Sequence, residues 1–154
     1  MKITQRTAIL SDATLLHSWR NDSRVRGHAV HSDLTPLDEH LVWFSARLER
    51  VKLEPFFFFA VGSKLVGMSR LDVVSDALDK YEISILVDPN HVGKGIGTRI
   101  LSMTCASFFG LYPEKTILAR VRENNLPSQK LFVSAGFFKL YQVGNLLHYE
   151  KTLN

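Results

Sequence analysis

Apolar residues along the chain recur with two rhythms, one near every second position and one near every 3.6, and the switches between them mark the elements. Residues 3–9 alternate and predict a first strand. Residues 11–20 set Leu15, Leu16 and Trp19 on one helical face, with Ser11 and Asp12 placed to cap it. Residues 35–51 predict a second helix. Thr35 stands as its cap, Pro36 in its first turn, Asp38 and Glu39 near its positive end, and Leu37, Leu41, Phe44 and Leu48 repeat at helical spacing. Two β-rich runs over 55–74, separated by Gly62-Ser63, read as a hairpin, and 81–87 as a strand stopped by Asp88-Pro89. A helix over 96–109 offers Ile96, Ile100, Leu101 and Cys105 to a core, with Gly110 to close it. A strand over 115–121, a helix over 127–135 ending at Gly136, and strands over 137–143 and 146–152 around Gly144-Asn145 complete the pattern. The order β-α-α-β-β-β-α-β-α-β-β is that of a mixed α/β sheet, and the length of 154 residues suits one domain over 1–154.

Composition narrows the picture. Hydrophobic residues at 45% and charged residues at 22% match an ordinary soluble globular protein. The net charge of +4 is small and scattered, with no basic run, so it argues against nucleic acid as a partner while suiting a small polyanion. The first ten residues lack the apolar core of a signal peptide, and no apolar run reaches the roughly 18 residues of a membrane span, so the expectation is a cytoplasmic protein without a membrane partner. The single cysteine, Cys105, makes neither an internal disulfide nor a zinc cage; it reads as a small buried hydrophobe, and no metal site is expected.

The stretch DPNHVGKGIGTRIL, residues 88–101, is the strongest chemical signal. Its glycines let the main chain approach a phosphate, and the free N–H groups of a helix start meet the phosphate with the positive end of the dipole. Gly95, Gly97 and Thr98 are the best-placed amide donors, and Lys94 or Arg99 adds charge. A nucleotide-triphosphate P-loop does not fit, because Gly93-Lys94 is followed by glycine rather than serine or threonine. A dinucleotide fingerprint does not fit either, since its third glycine comes one residue early. A glycine-rich turn that caps a helix and binds nothing is the plain alternative.

Residues 92–97 resemble the acetyl-coenzyme A loop of the GNAT acetyltransferases, Arg/Gln-x-x-Gly-x-Gly/Ala, except at the first position. Downstream, Val121-x-x-x-Asn125-x-x-Ser128-x-x-Leu131-Phe132 followed by Gly136-Phe137 resembles that family's segment after its fifth strand. Upstream, YEISILVDP resembles the fourth strand, which lays its backbone beside the pantetheine arm. The resemblance implies a mostly antiparallel central sheet flanked by about four helices, and an N-acetyltransferase with acetyl-CoA as co-substrate. It implies cofactor contacts from Leu86, Val87, Val92, Gly93, Lys94, Gly95, Gly97, Thr98, Asn125 and Ser128, with the Val87 amide as the oxyanion donor. Glu82 is the candidate general base, alongside the simpler reading of an exposed residue pairing across strands; His91 reads more simply as a solvated loop residue. With no catalytic cysteine and no Ser-His-Asp set, direct transfer to the amine is the economical route.

Two positions depart from the family pattern. Val92 fills the Arg/Gln slot, which leaves phosphate binding to main-chain amides. Phe132 stands where many members carry a tyrosine that protonates the leaving thiolate, and phenylalanine has no proton to give. Tyr141, Ser128 or a water are the substitutes open to it.

The N-terminal third bears on the acceptor. SWRNDSRVR (18–26) and DEHLVWF (38–44) resemble the acetyltransferases of nucleotide-linked amino sugars in pseudaminic acid biosynthesis. That likeness implies a small-molecule amine, of the UDP-linked amino-sugar kind, held by Trp19, Arg20, Asn21 and Arg24, with Arg26 as a further cation. Trp43 is a second stacking surface or a core residue. Enzymes that acetylate ribosomal-protein N-termini share part of this helix pattern and are the alternative. A third reading is a non-catalytic acetyl-CoA sensor module, which Val92 and Phe132 keep open. A monomer or a homodimer suits each.

Overall fold

The computed structural model describes every residue except Ser75, Ala77 and Asn154. Among the described residues seven strands form one sheet in the order β1-β2-β3-β4-β5-β7-β6. They are β1 (Ile3–Thr7), β2 (Phe56–Val61), β3 (Lys64–Val73), β4 (Lys80–Val87), β5 (Thr116–Arg122), β6 (Phe138–Val143) and β7 (Leu146–Lys151). All neighbours are antiparallel except β4 and β5. That parallel pair requires a crossover, supplied by helix α4 (Ile96–Leu111). The other helices are α1 (Ala13–Asn21), the one-turn α2 (Ser23–Arg26), α3 (Leu37–Leu48) and α5 (Leu126–Ser134). The mixed, mostly antiparallel sheet and its four long helices agree with the sequence reading; α2 is the addition.

Strand alternation sorts the core into two layers. The run Phe56-Phe57-Phe58-Phe59 is apolar at every position because both faces of β2 are covered. Phe56, Phe58 and Met68 meet Leu16 and Trp19 of α1 and Phe44 of α3 on one face. On the other face Leu71, Tyr81, Ile83 and Ile117 meet Leu101, Cys105 and Phe108 of α4, and Phe132 of α5.

The expected stripe on α3 is displaced. Leu37 and Leu41 are exposed, while His40, Phe44 and Arg47 are the buried residues. Two polar side chains occupy the buried face because each finds partners there. His40 Nε2 lies 2.8 Å from the Ala13 carbonyl. Arg47 donates to the carbonyls of Glu54, Pro55 and Leu71 and to Asp72 Oδ1, so its buried charge is fully engaged. Capping also differs. Asp12 accepts from the Ile9 amide and pairs with Arg6, closing a 3-10 turn ahead of α1, and neither Thr35 nor any other side chain caps α3. Gly110 does not end α4, which continues to Leu111.

Among the glycines, Gly67 marks the closest approach. A Cβ there would lie 2.5 Å from Ile100 Cδ1 and 2.8 Å from the Leu86 carbonyl oxygen. The second of these is backbone and cannot swing away. Gly67→Ala should therefore cost about 1–3 kcal/mol, read as a lower denaturant midpoint at unchanged slope. An unchanged midpoint would show that β3 and α4 have slack between them.

Candidate active site

The site follows from one feature of the sheet. β4 and β5 pair only over Lys80↔Thr116, Tyr81↔Ile117 and Glu82↔Leu118; beyond these residues the strands separate. β4 keeps its bonds to β3 along its whole length, so past Glu82 its other edge faces a gap. The Asp88 amide donates to the Val66 carbonyl on the β3 side. By alternation the main-chain groups of Leu86 also go to β3, whereas those of Ile85 and Val87 point into the gap. Leu86, expected to contact the cofactor, thus has its backbone taken by β3, and its side chain packs against the α1–α3 layer.

At the wide end of the gap β4 leads into the glycine loop. Asp88 Oδ1 accepts from the Asn90 amide at 2.9 Å and Oδ2 lies 3.1 Å from His91 Nδ1, so the carboxylate builds the turn and His91 braces it. Gly93 and Gly95 have φ of +79° and +76°, the left-handed region that suits glycine, and a Cβ on either would project into open space. Gly95 is the N-cap of α4, with no side chain capping the helix and no acidic residue in its first turn. The first intrahelical bond there runs from the Arg99 amide to the Gly95 carbonyl. The amides of Ile96, Gly97 and Thr98 precede it and face an anion-ready helix end. Lys94 is adjacent in the loop, Arg99 donates to the Met1 carbonyl, and Val92 is 64% exposed with no charge to add.

α5 closes the α4 side. A Cβ on Gly97 would sit 3.6 Å from Val87 Cγ2 and 3.7 Å from Leu131 Cδ2, so β4, α4 and α5 converge at this residue. Asn125 caps α5 by accepting from the Ser128 amide. Phe132 packs against Phe137 and Tyr149 and is buried. Tyr141 is on β6, stacked on His148 with β7 and β5 between it and the gap. Cys105 is buried within α4, and burial pushes its thiol up to about 11, which excludes it as a nucleophile.

The opposite face of the gap is polar. Register places Arg70 opposite Ser84 and Asp72 opposite Glu82, all facing the α1–α3 layer. Glu82 is gripped across the narrow end of the gap by Arg120 of β5, at 2.6 Å from Nε and 3.3 Å from Nη2. The α2 segment spans the wide end, touching both separated strands. Arg24 Nη1 donates to Asn90 Oδ1 just past β4, while Arg122 at the end of β5 and Asn124 just past it donate to the carbonyls of Ala29 and Gly27.

The four residues expected to hold the acceptor are thereby separated. Trp19 is 4% exposed and packs on Phe58, which makes it a core residue. Asn21 fixes the chain at Thr35 through both its amide groups. Arg24 pairs with Asp22 and reaches toward the glycine loop. Of the four, Arg20 alone lies over the ring of Trp43. Sequence reasoning missed Arg70, Arg120 and His40. A signal existed for the first two: Arg70-Leu71-Asp72 in β3 and Arg120-Val121-Arg122 in β5 alternate polar with apolar residues, which marks a lined face rather than a core.

Among the described residues no three His, Cys, Asp or Glu side chains gather to hold a metal, and no helix is long and apolar enough to cross a membrane. No curated protein sequence matches the chain at a significant level. A family model for the acetyltransferase (GNAT) domain matches residues 2–138. The fold is similar to an N-acetyltransferase from Staphylococcus aureus Mu50, with TM-score 0.82 and 23% identity over 100% of both chains. It is similar also to the putative acetyltransferase yncA of Salmonella typhimurium, solved with its cofactor acetyl-CoA, with TM-score 0.78 and 23% identity over 99% of this chain and 94% of that one. A ribosomal-protein-alanine N-acetyltransferase from Brucella melitensis aligns at TM-score 0.79 and 20% identity over 97% and 99%. A parted β4–β5 pair, a glycine loop at the head of α4 and a family match over most of the chain agree: this protein belongs to the GNAT acetyltransferases, which take acetyl-CoA as co-substrate.

Proposed function

We propose that the protein moves acetyl from acetyl-CoA directly to a primary amine of a nucleotide-linked amino sugar. The observation that carries direct transfer is the gap between β4 and β5, which opens toward two different layers. The α4 loop takes the pyrophosphate at its wide end, and the free edge of β4 takes the pantetheine arm. The amine arrives from the α1–α3 side, where Glu82 stands at the narrow end. Glu82 receives the amine's proton, through a water. The nitrogen then attacks the thioester carbon, and the Val87 amide stabilises the oxygen that becomes negative. The carbon–sulfur bond breaks, the nitrogen gives up the second proton that it carries after the attack, and water relays that proton to the thiolate because Phe132 has none to give. A thiol with a pKa of about 8.5 leaves tolerably near neutrality without a dedicated acid.

The amino-sugar acceptor is supported by the Trp19-Arg20-Asn21-Asp22 pattern and by the cationic character of the acceptor face. Other enzymes of this fold are a spermidine N-acetyltransferase and an aminoglycoside acetyltransferase, which makes the acceptor the point to test. Thiol release should be measured with UDP-linked 4-amino sugars, spermidine, an aminoglycoside and N-terminal peptides of ribosomal proteins. The reading predicts the highest kcat/KM for a UDP-linked amino sugar. Higher kcat/KM for a peptide N-terminus or for spermidine would overturn it.

A further inference from the structure

We propose that Arg20, Arg70 and the face of Trp43 form an anion subsite that takes a phosphoryl group of the acceptor. The enzyme thereby selects amines that carry phosphate and rejects polycations. The inference rests on reading the α1–α3 side of the gap as the acceptor side.

Arg20 is the unusual member. Its charge is partly buried, and both desolvation and the neighbouring charge of Arg70 push its pKa down. Cations held at such a cost ordinarily sit beside a carboxylate. Among the described residues Arg20 has none; its polar contact is His40 Nδ1 at 3.1 Å. The proton on that imidazole can be assigned. His40 Nε2 lies 2.8 Å from the Ala13 carbonyl, which only accepts, so Nε2 carries the hydrogen and Nδ1 receives one from Arg20. Burial, with the charges of Arg20 and His17, lowers the pKa of His40 and keeps the ring neutral. A neutral ring therefore orients Arg20 and leaves its charge uncompensated.

Arg70 adds to the excess. It pairs with Asp72, but the buried Arg47 also claims that carboxylate, at 2.8 Å, so one acid serves two guanidinium groups. Arg20 and Arg70 both lie over Trp43, at 5.4 and 5.2 Å from its ring centroid, so two positive charges gather at one indole. Asp38 and Glu39 are exposed on α3 and line a cavity with Val42 and Trp43, and among the described residues neither pairs with Arg20 or Arg70. Two guanidinium groups gathered at one indole and short of carboxylates suit a group with several anionic oxygens.

The position fits the chemistry. Arg70 lies opposite Ser84, two residues along β4 from Glu82. That is about 7 Å along the strand, a separation that one sugar ring spans between an amine and a phosphate. A polyamine would instead meet uncompensated positive charge.

The test uses the full-length protein saturated with coenzyme A, so that the α4 loop is occupied, and titrates it calorimetrically with UDP and with inorganic pyrophosphate. Both should bind. Arg20→Ala and Arg70→Gln should each weaken them by roughly 10- to 100-fold, as expected for loss of a charge-assisted bond, while the affinity for coenzyme A stays within about twofold. Arg20→Lys keeps the charge but not the planar donor set, and should fall between. Failure of both probes to bind the saturated wild-type protein overturns the subsite and leaves the acetyltransferase reading standing. Equal binding by correctly folded Arg20→Ala and Arg70→Gln also overturns it. Failure of coenzyme A itself to bind would overturn both.

Discussion

Replacing Gly95 with glutamate should remove acetyl-CoA binding while leaving the fold in place. Gly95 holds φ at +76°, and a Cβ there meets nothing within 4 Å, so a new side chain starts out into open space. It would extend into the space ahead of the Ile96, Gly97 and Thr98 amides, where the pyrophosphate is read to lie, and place a negative charge against it. The left-handed backbone costs a non-glycine residue about 1–2 kcal/mol. For a domain of this size that lowers Tm by roughly 2–8 °C. Loss of cofactor affinity should be much larger, at least about 100-fold, equivalent to some 2.7 kcal/mol. Gly95→Ala separates the two effects, since it carries the same backbone cost without the charge and should lose far less affinity. Wild-type affinity in a folded Gly95→Glu protein would mean that the glycine loop is a helix cap and nothing more.

Glu82→Gln should lower kcat by roughly 100- to 10,000-fold, the usual worth of a general base. The loss should be steepest below neutral pH, where the amine is most fully protonated and unassisted deprotonation is rarest. The bidentate contact with Arg120 gives the experiment its control. If Glu82 serves only to hold Arg120, then Glu82→Gln and Arg120→Gln should give similar, small losses and retain the wild-type pH–rate profile. If Glu82 takes the proton, Glu82→Gln changes the profile and Arg120→Gln keeps its acidic limb. A wild-type profile in Glu82→Gln would remove Glu82 from the mechanism.

Much of this could be read without coordinates because local rules govern it. The alternation in YEISILV and its halt at Asp88-Pro89 place β4, and the glycines at 93, 95 and 97 announce a helix start with free amides. What escaped depends on partners far away in sequence. The leucine stripe of α3 is a sound helical pattern, yet His40 and Arg47 take the buried positions because carbonyls from Ala13, Glu54, Pro55 and Leu71 await them. No spacing within residues 35–51 encodes those carbonyls. Likewise Trp19, Arg20, Asn21 and Arg24 look like one motif on paper, but helical geometry and the turn at Asp22 send them to the core, the ring of Trp43, Thr35 and the glycine loop. The parting of β4 from β5, on which the whole site depends, is a property of two strands separated by a helix. It has no signature in either strand alone.

The most direct test of direct transfer follows acetyl-CoA and the amine panel together, counting free thiol and acetylated amine while recording the intact mass of the protein. The account predicts one thiol for each acetylated amine, on an acceptor made heavier by one acetyl group, with no acetyl retained on the protein. Tight acetyl-CoA binding without thiol release from any amine would contradict it and point to a sensor module, and an acetylated protein on the route to product would contradict direct transfer.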